Sequence, residues 1–374
     1  MSKKKPDLDS AVANLFAVGF HGTTMTEDLT WLIDRGVSMV ILFKRNVDSP
    51  EQVAKLCGEI KRRAARPILI AIDQEGGRVA RLRGRFTDIP SMRDVGRAND
   101  IDLARHVGMV LGKELRAVNI DLDFAPCMDV DTNPANPVIG DRSFGKSPQL
   151  VTRMGVAVIE GLQSAGIAAC AKHFPGHGDT DKDSHYVLPT IDHPLERLEK
   201  IELPPFAAAI RAGVATVMTA HVLLTQIDPD VPATMSEKVM RGLLRDRLGF
   251  NGVVISDDLE MRAIAEHYGA EQAILRGLHA GVDLFCICHN HQLQHRAIDR
   301  LIDAVEAGDV RRELVDQANA RINALAAKYA HPAHGGELGV IGCNDHVTVA
   351  YGVRQLAGSV AGTAADPTEF EPTV

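Results

Sequence analysis

Eight short apolar, β-rich runs mark this chain, at 15–20, 37–43, 68–73, 121–126, 168–174, 216–222, 252–257 and 282–288. Between them lie amphipathic stretches with helical spacing, among them 51–64, 101–118, 150–165, 195–212, 236–248 and 270–280. Strands that alternate strictly with helices run parallel. Strands that are apolar throughout are covered on both faces. Eight of them fit a closed (β/α)8 TIM barrel, an α/β fold, with an open doubly wound sheet as the competing arrangement. Polar residues follow the strand ends: Lys44, Arg45, Asp73, Asp129, Lys172, His173, His221, Asp257 and His289. In a barrel these positions share the C-terminal rim, where active sites sit.

The strand-helix pattern weakens after about Ala330, and from Gly358 the chain is small, polar and Pro-containing. The expected organisation is a catalytic domain over 1–335 and a partly disordered tail over 336–374. A formal net charge of −8 in 374 residues argues against nucleic acid or anionic lipid as the partner and leaves a small molecule. No run reaches the roughly 20 apolar residues of a membrane span. The apolar segment 11–20 follows three lysines, but Asp7 and Asp9 intervene and no small-residue cleavage site follows. Six cysteines show no CxxC pairing and mostly lie in apolar runs, which suits a reducing cytoplasm. Oligomeric state is not legible in the sequence.

The most unusual segment is 172–185, which leaves an expected strand and becomes dense in Gly, Asp and His. The spacing of Asp179, Asp181 and Asp183 resembles the start of a calcium loop, which needs Gly at its sixth position and Glu at its twelfth; here Ser184 and Thr190 stand there. A metal-dependent barrel hydrolase is a competing reading, because His173, His221 and His289 would face one rim with His177 and His185 nearby. Against it, there is no HExxH helix and no HxH after the first strand, where only His21 stands. The expectation is no metal and no cofactor.

Three segments carry a resemblance: Ala71-Ile72-Asp73-Gln74-Glu75-Gly76-Gly77-Arg78-Val79, the loop 172–185, and Ser256-Asp257-Asp258-Leu259-Glu260-Met261. Together they resemble family 3 glycoside hydrolases, and within that family the β-N-acetylhexosaminidases, in order across about 15–330. The resemblance implies Asp257 as nucleophile and His185 as general acid/base with Asp183 as its partner. It also implies Asp73 as a holder of sugar hydroxyls, with Arg81, Arg142, Lys172 and His173 as further substrate contacts. On residue chemistry, an imidazole with a pKa of about 6.5 both gives and takes a proton near neutrality, and an adjacent carboxylate favours its charged form. Asp257 read blandly is a helix N-cap, and Arg142 a partner of Asp141 or another rim carboxylate. Asp258 is the competing carboxylate: in a regular strand only one of the two aims into the site. Gly76 and Gly77 are expected to let the backbone turn or approach sugar.

Aromatic residues make up only 4% of the chain, with a single tryptophan, too few stacking rings for a long polysaccharide groove. Trp31, beside Leu32 in an expected helix, is assigned to packing. The expected reaction is exo-cleavage of terminal β-linked N-acetylglucosamine with retention, by double displacement. The resemblance implies N-acetylglucosaminyl-anhydromuramyl fragments of peptidoglycan recycling as the small carbohydrate substrate. The alternatives are a family 3 β-glucosidase, a phosphorylase in which phosphate replaces water, and a catalytically silent sugar-binding protein.

Overall fold

The structure, a computed structural model, describes residues 8–180, 188–334, 337–360 and 366–368. Each of the eight apolar runs holds a barrel strand, the seventh reaching one residue past its run: β1 Phe16–Val18, β2 Met39–Leu42, β3 Leu69–Ile72, β4 Leu122–Asp123, β5 Ala168–Phe174, β6 Thr216–Thr219, β7 Val253–Asp258 and β8 Leu284–Ile287. Each pairs parallel with its sequence neighbours, and β1 pairs with β8 in the register Phe16 to Phe285, so the sheet closes. The open-sheet alternative is thereby overturned. β4 is short because Pro126 has no N–H for the ladder; beyond Asp123, Phe124 still donates to the Ile72 carbonyl, while Ala125 and Pro126 accept from Cys170 and Lys172.

The helices follow the expected stretches with one break. The run 195–212 divides into Leu195–Lys200 and Leu203–Arg211, because Pro204 and Pro205 fit only the first turn of the second helix. Gly76 and Gly77 hold φ of 97° and 58°, and a Cβ on either would strike the 89–91 backbone or its side chains. They turn the chain against its own loop, and Gly77 donates to the Ile89 carbonyl at 2.8 Å. The indole of Trp31 is not packed inside: it is 43% exposed on the helix Glu27–Arg35 and lies 4.1 Å from the His295 ring. An amphipathic helix has one outer edge where a large ring finds only a surface neighbour, and sequence spacing did not separate that edge from the core face.

Beyond the barrel, the helix Asn344–Ala357 packs against Met92–Ala98 and Ile101–Ala117. His346 Nδ1 lies 2.8 Å from Glu114, which also accepts the Gly342 amide, and Arg354 reaches Asp88. The region after 336 therefore holds an anchored helix where the sequence pattern weakens. No described helix is long and apolar enough to cross a membrane.

Candidate active site

The C-terminal ends of the strands surround a cavity that opens to solvent and is lined by both charged and apolar side chains, the mix expected of a small-molecule site. Asp73, Arg81, Arg142, Lys172, His173 and Asp257 all line it, so the structure gathers six of the eight sequence-expected site residues. The other two, Asp183 and His185, lie outside the described residues, as do Asp181 and Ser184.

Asp73 follows β3, and Lys172 lies within β5, two strands away across the barrel. The Lys172 ammonium is buried and bridges two carboxylates, Asp73 Oδ1 and Glu75 Oε1, each at 2.7 Å. Its pKa is raised: burial opposes the charge, but the two carboxylates outweigh it. Burial likewise raises the pKa of Asp73, while Lys172 and Arg81 pull it below the ordinary value and keep the group ionised. Glu75 also takes Arg142 in a fork, Nε at 2.9 Å and Nη2 at 2.7 Å. This bidentate pair fixes the plane of the guanidinium at the cavity wall. Arg142 thus pairs with Glu75 rather than Asp141, which takes Arg78 instead.

His173 is held by Asp129, a fully buried residue reached after β4. Its Nδ1 lies 2.8 Å from Asp129 Oδ2, and Asp129 also accepts the amides of His173 and His177. Burial pushes the Asp129 carboxyl up, but the His173 charge and hydrogen bonds outweigh this and bring it down to about 2. His177, also on the wall, is pushed down to about 4 by burial and the neighbouring His173, so it is neutral at pH 7. Gly178 permits this loop to approach closely, since a Cβ there would lie 1.9 Å from the Val130 carbonyl oxygen. In the sequence Asp129 appeared only as a rim polar group, and His177 only as a histidine near the rim in the metal-hydrolase reading. The available signal was an acid in a strand-end run, Ala125-Pro126-Cys127-Met128-Asp129.

The three histidines weighed as metal ligands do not converge. His221 is spanned between the Thr234 hydroxyl at 2.8 Å and the Asp258 carbonyl at 3.1 Å. His289 meets Arg45 at 3.2 Å, and burial with Arg45 pushes its pKa down to about 3. Among the described residues the group able to converge on an ion is Cys127, Asp129 and His173, whose polar atoms already hydrogen-bond one another.

The two carboxylates ending β7 do not divide as a regular strand would require. The pairing of β7 with β8 shifts between Ile255 and Asp258, and both Asp257 and Asp258 line the cavity. What separates them is environment. Asp258 accepts the Glu260 amide at 3.2 Å and lies 3.5 Å from His289; burial, then the Glu260 charge, push its pKa well up, which favours the neutral acid. Asp257 and Asp258 are both half-buried, and Asp257 Oδ1 accepts the Asp258 amide at 2.8 Å. Glu260, unassigned in the sequence, receives the amides of Cys288, His289 and Asn290 and so fixes the turn that presents His289.

A closed α/β barrel whose C-terminal face gathers fixed cations, ionised carboxylates and imidazoles around one cavity is built as a barrel hydrolase. Residues 7–325 match the glycosyl hydrolase family 3 N terminal domain. The chain belongs to glycoside hydrolase family 3. A β-hexosaminidase of Thiobacillus denitrificans is 38% identical over 92% of this chain and 94% of its own length. A β-N-acetylglucosaminidase of Paenibacillus sp. superposes with a TM-score of 0.90 at 41% identity, over 94% of this chain and 69% of that one. The NagZ of Neisseria gonorrhoeae, solved with N-trifluoroacetyl-D-glucosamine, gives 0.76 at 34% identity, over 92% of this chain and 97% of that one. The family and these relatives make the chain a glycoside hydrolase of the β-N-acetylhexosaminidase type.

Proposed function

We propose that the chain removes terminal β-linked N-acetylglucosamine by double displacement with retention of configuration. The observation that carries the mechanism lies at the end of β7, where Asp257 and Asp258 both face the cavity and burial with the Glu260 charge pushes Asp258 toward its neutral form, leaving Asp257 to attack. In this reading Asp257 attacks the anomeric carbon and the aglycone oxygen leaves with a proton from His185. His185 then takes a proton from water as that water displaces Asp257. Asp183 holds His185 and favours its imidazolium. Asp73, Lys172, Arg142, Arg81 and His173 bind and orient sugar hydroxyls, with charges fixed before substrate enters. An aspartate nucleophile leaves no need for attack by the substrate's own acetamido group. The substrate class is supported by the relative solved with N-trifluoroacetyl-D-glucosamine.

The finer substrate, an N-acetylglucosaminyl-anhydromuramyl fragment handled in the cytoplasm during peptidoglycan recycling, rests on the resemblance; the five buried free cysteines suit a reducing compartment. The test is release of N-acetylglucosamine from its aryl β-glycoside and from a muropeptide fragment, with the β-glucoside and added phosphate as parallel arms, followed by labelling with a 2-fluoro sugar. The expected result is hydrolysis insensitive to phosphate and an adduct on Asp257. An adduct on Asp258 removes the assignment at β7, and a glycosyl phosphate product replaces hydrolysis with phosphorolysis.

A further inference from the structure

Arg81 is held poorly by the barrel itself. Its Nη2 lies 3.3 Å from Asp73 Oδ2, a long contact to a carboxylate whose other oxygen is taken by Lys172 at 2.7 Å. Its Nε has no hydrogen-bond partner among the described residues. A long guanidinium so lightly tied would sample several rotamers and would have to be ordered anew by each incoming sugar. The remaining contacts come from the far end of the chain: Asp366 accepts from Nη1, and the Thr368 hydroxyl accepts from Nη2 at 2.7 Å. Asp366 in turn accepts the Thr368 amide and hydroxyl, so the acid and the hydroxyl form one unit. With this unit in place Arg81 is buried, and Thr368 lines the cavity.

We propose that the C-terminal segment is part of the sugar site: Asp366 and Thr368 are positioning residues that hold Arg81 toward the cavity, and Thr368 forms part of its wall. The helix Asn344–Ala357, anchored through His346 and Arg354, brings the chain to that side of the barrel. Among the described residues the polar contacts of Asp366 and Thr368 to the barrel all end on Arg81, and Thr368 lines a cavity that stays open to solvent. The clamp acts equally on bound sugar and on the transition state, so it sets KM more than kcat.

This inference rests on the glycosidase reading above, and its test separates the two. Wild type, Asp366→Ala, Asp366→Glu, Thr368→Val and a chain ending at Val360 are compared by kcat and KM on nitrophenyl β-N-acetylglucosaminide. Affinity for N-acetylglucosamine is measured in parallel by calorimetry. Asp366→Ala and the shortened chain should each raise KM and weaken sugar binding about tenfold, the loss of one charge-assisted hydrogen bond, with kcat within about threefold. Asp366→Glu should recover part of it, and in an Arg81→Ala background shortening the chain should add nothing. Unaltered affinity, tighter binding on shortening, or a full effect of shortening without Arg81 each overturns the proposal. A wild type that binds N-acetylglucosamine without turnover overturns the glycosidase reading and leaves the clamp to be judged by calorimetry; a wild type that binds none overturns both.

Discussion

The two ends of the barrel bury the same chemistry and put it to different ends. At the N-terminal end, Asp121 precedes β4 and accepts Lys61 Nζ at 2.6 Å and the Ile70 amide at 3.0 Å. Asp283 precedes β8 and accepts the Val254 amide with Arg245 and Arg321. Each of these acids ties a neighbouring strand or helix to its own strand. At the C-terminal end, Asp73, Glu75, Lys172 and Arg142 form an equally buried network, but its members line or adjoin a cavity. Buried charge is therefore no guide to function by itself; the strand end it sits on, and whether it faces open space, decide its use.

The sharpest break between the ends is expected at Asp257. Asp257→Asn should lower kcat on the order of 10⁴-fold, the scale for removing a group that acts as part of a catalytic unit, with little change in denaturant midpoint. An asparagine variant within tenfold of wild type would remove Asp257 from the chemistry. A paired comparison comes next. Lys172→Met and Lys61→Met each remove the nearest cation from a buried acid network, and each should lose about 3–5 kcal/mol in urea unfolding. Only Lys172→Met should also lose activity, about 100-fold in kcat/KM at a temperature where both variants remain folded. Equal activity losses would mean that the two ends are not functionally distinct.

The difference between the ends was legible only in part. Strand existence and order followed from eight apolar runs, because a doubly covered strand has a composition that no surface loop shares. The motif residues Asp73, Lys172, His173 and Asp257 followed from their positions after or at the ends of those runs. The sequence did not show that Arg142 would take Glu75 and not its neighbour Asp141, because ion pairs across a barrel depend on closure and not on spacing. Nor did it show that β7 shifts register between Ile255 and Asp258, so the alternation argument for separating the two acids had no regular strand to act on. The clamp on Arg81 was least legible. Asp366 lies 285 residues from its partner, in a stretch whose composition reads as tail.

The smallest effect, and the one that tests the contrast by sign, is the pH dependence of stability. Asp129 at the functional end is brought from the ordinary 3.8 to about 2. Its unfolded form takes a proton first, so its contribution is present above about pH 4 and is lost as pH falls toward 2, about 2 kcal/mol in all. Asp121 at the structural end is pushed by burial, against Lys61, from 3.8 up to about 6. Here the folded form holds its proton longer, so the contribution is present below about pH 4 and is lost as pH rises toward 6, about 3 kcal/mol. Unfolding free energies of wild type, Asp129→Asn and Asp121→Asn should be measured in urea from pH 3 to pH 7. The wild-type advantage over Asp129→Asn should grow as pH rises from 3 to 4 and then level, while that over Asp121→Asn should shrink between 4 and 6. Two differences of the same sign would show that Asp121 is an ion-paired carboxylate like Asp129, with Lys61 outweighing burial, and the electrostatic distinction between the ends would disappear.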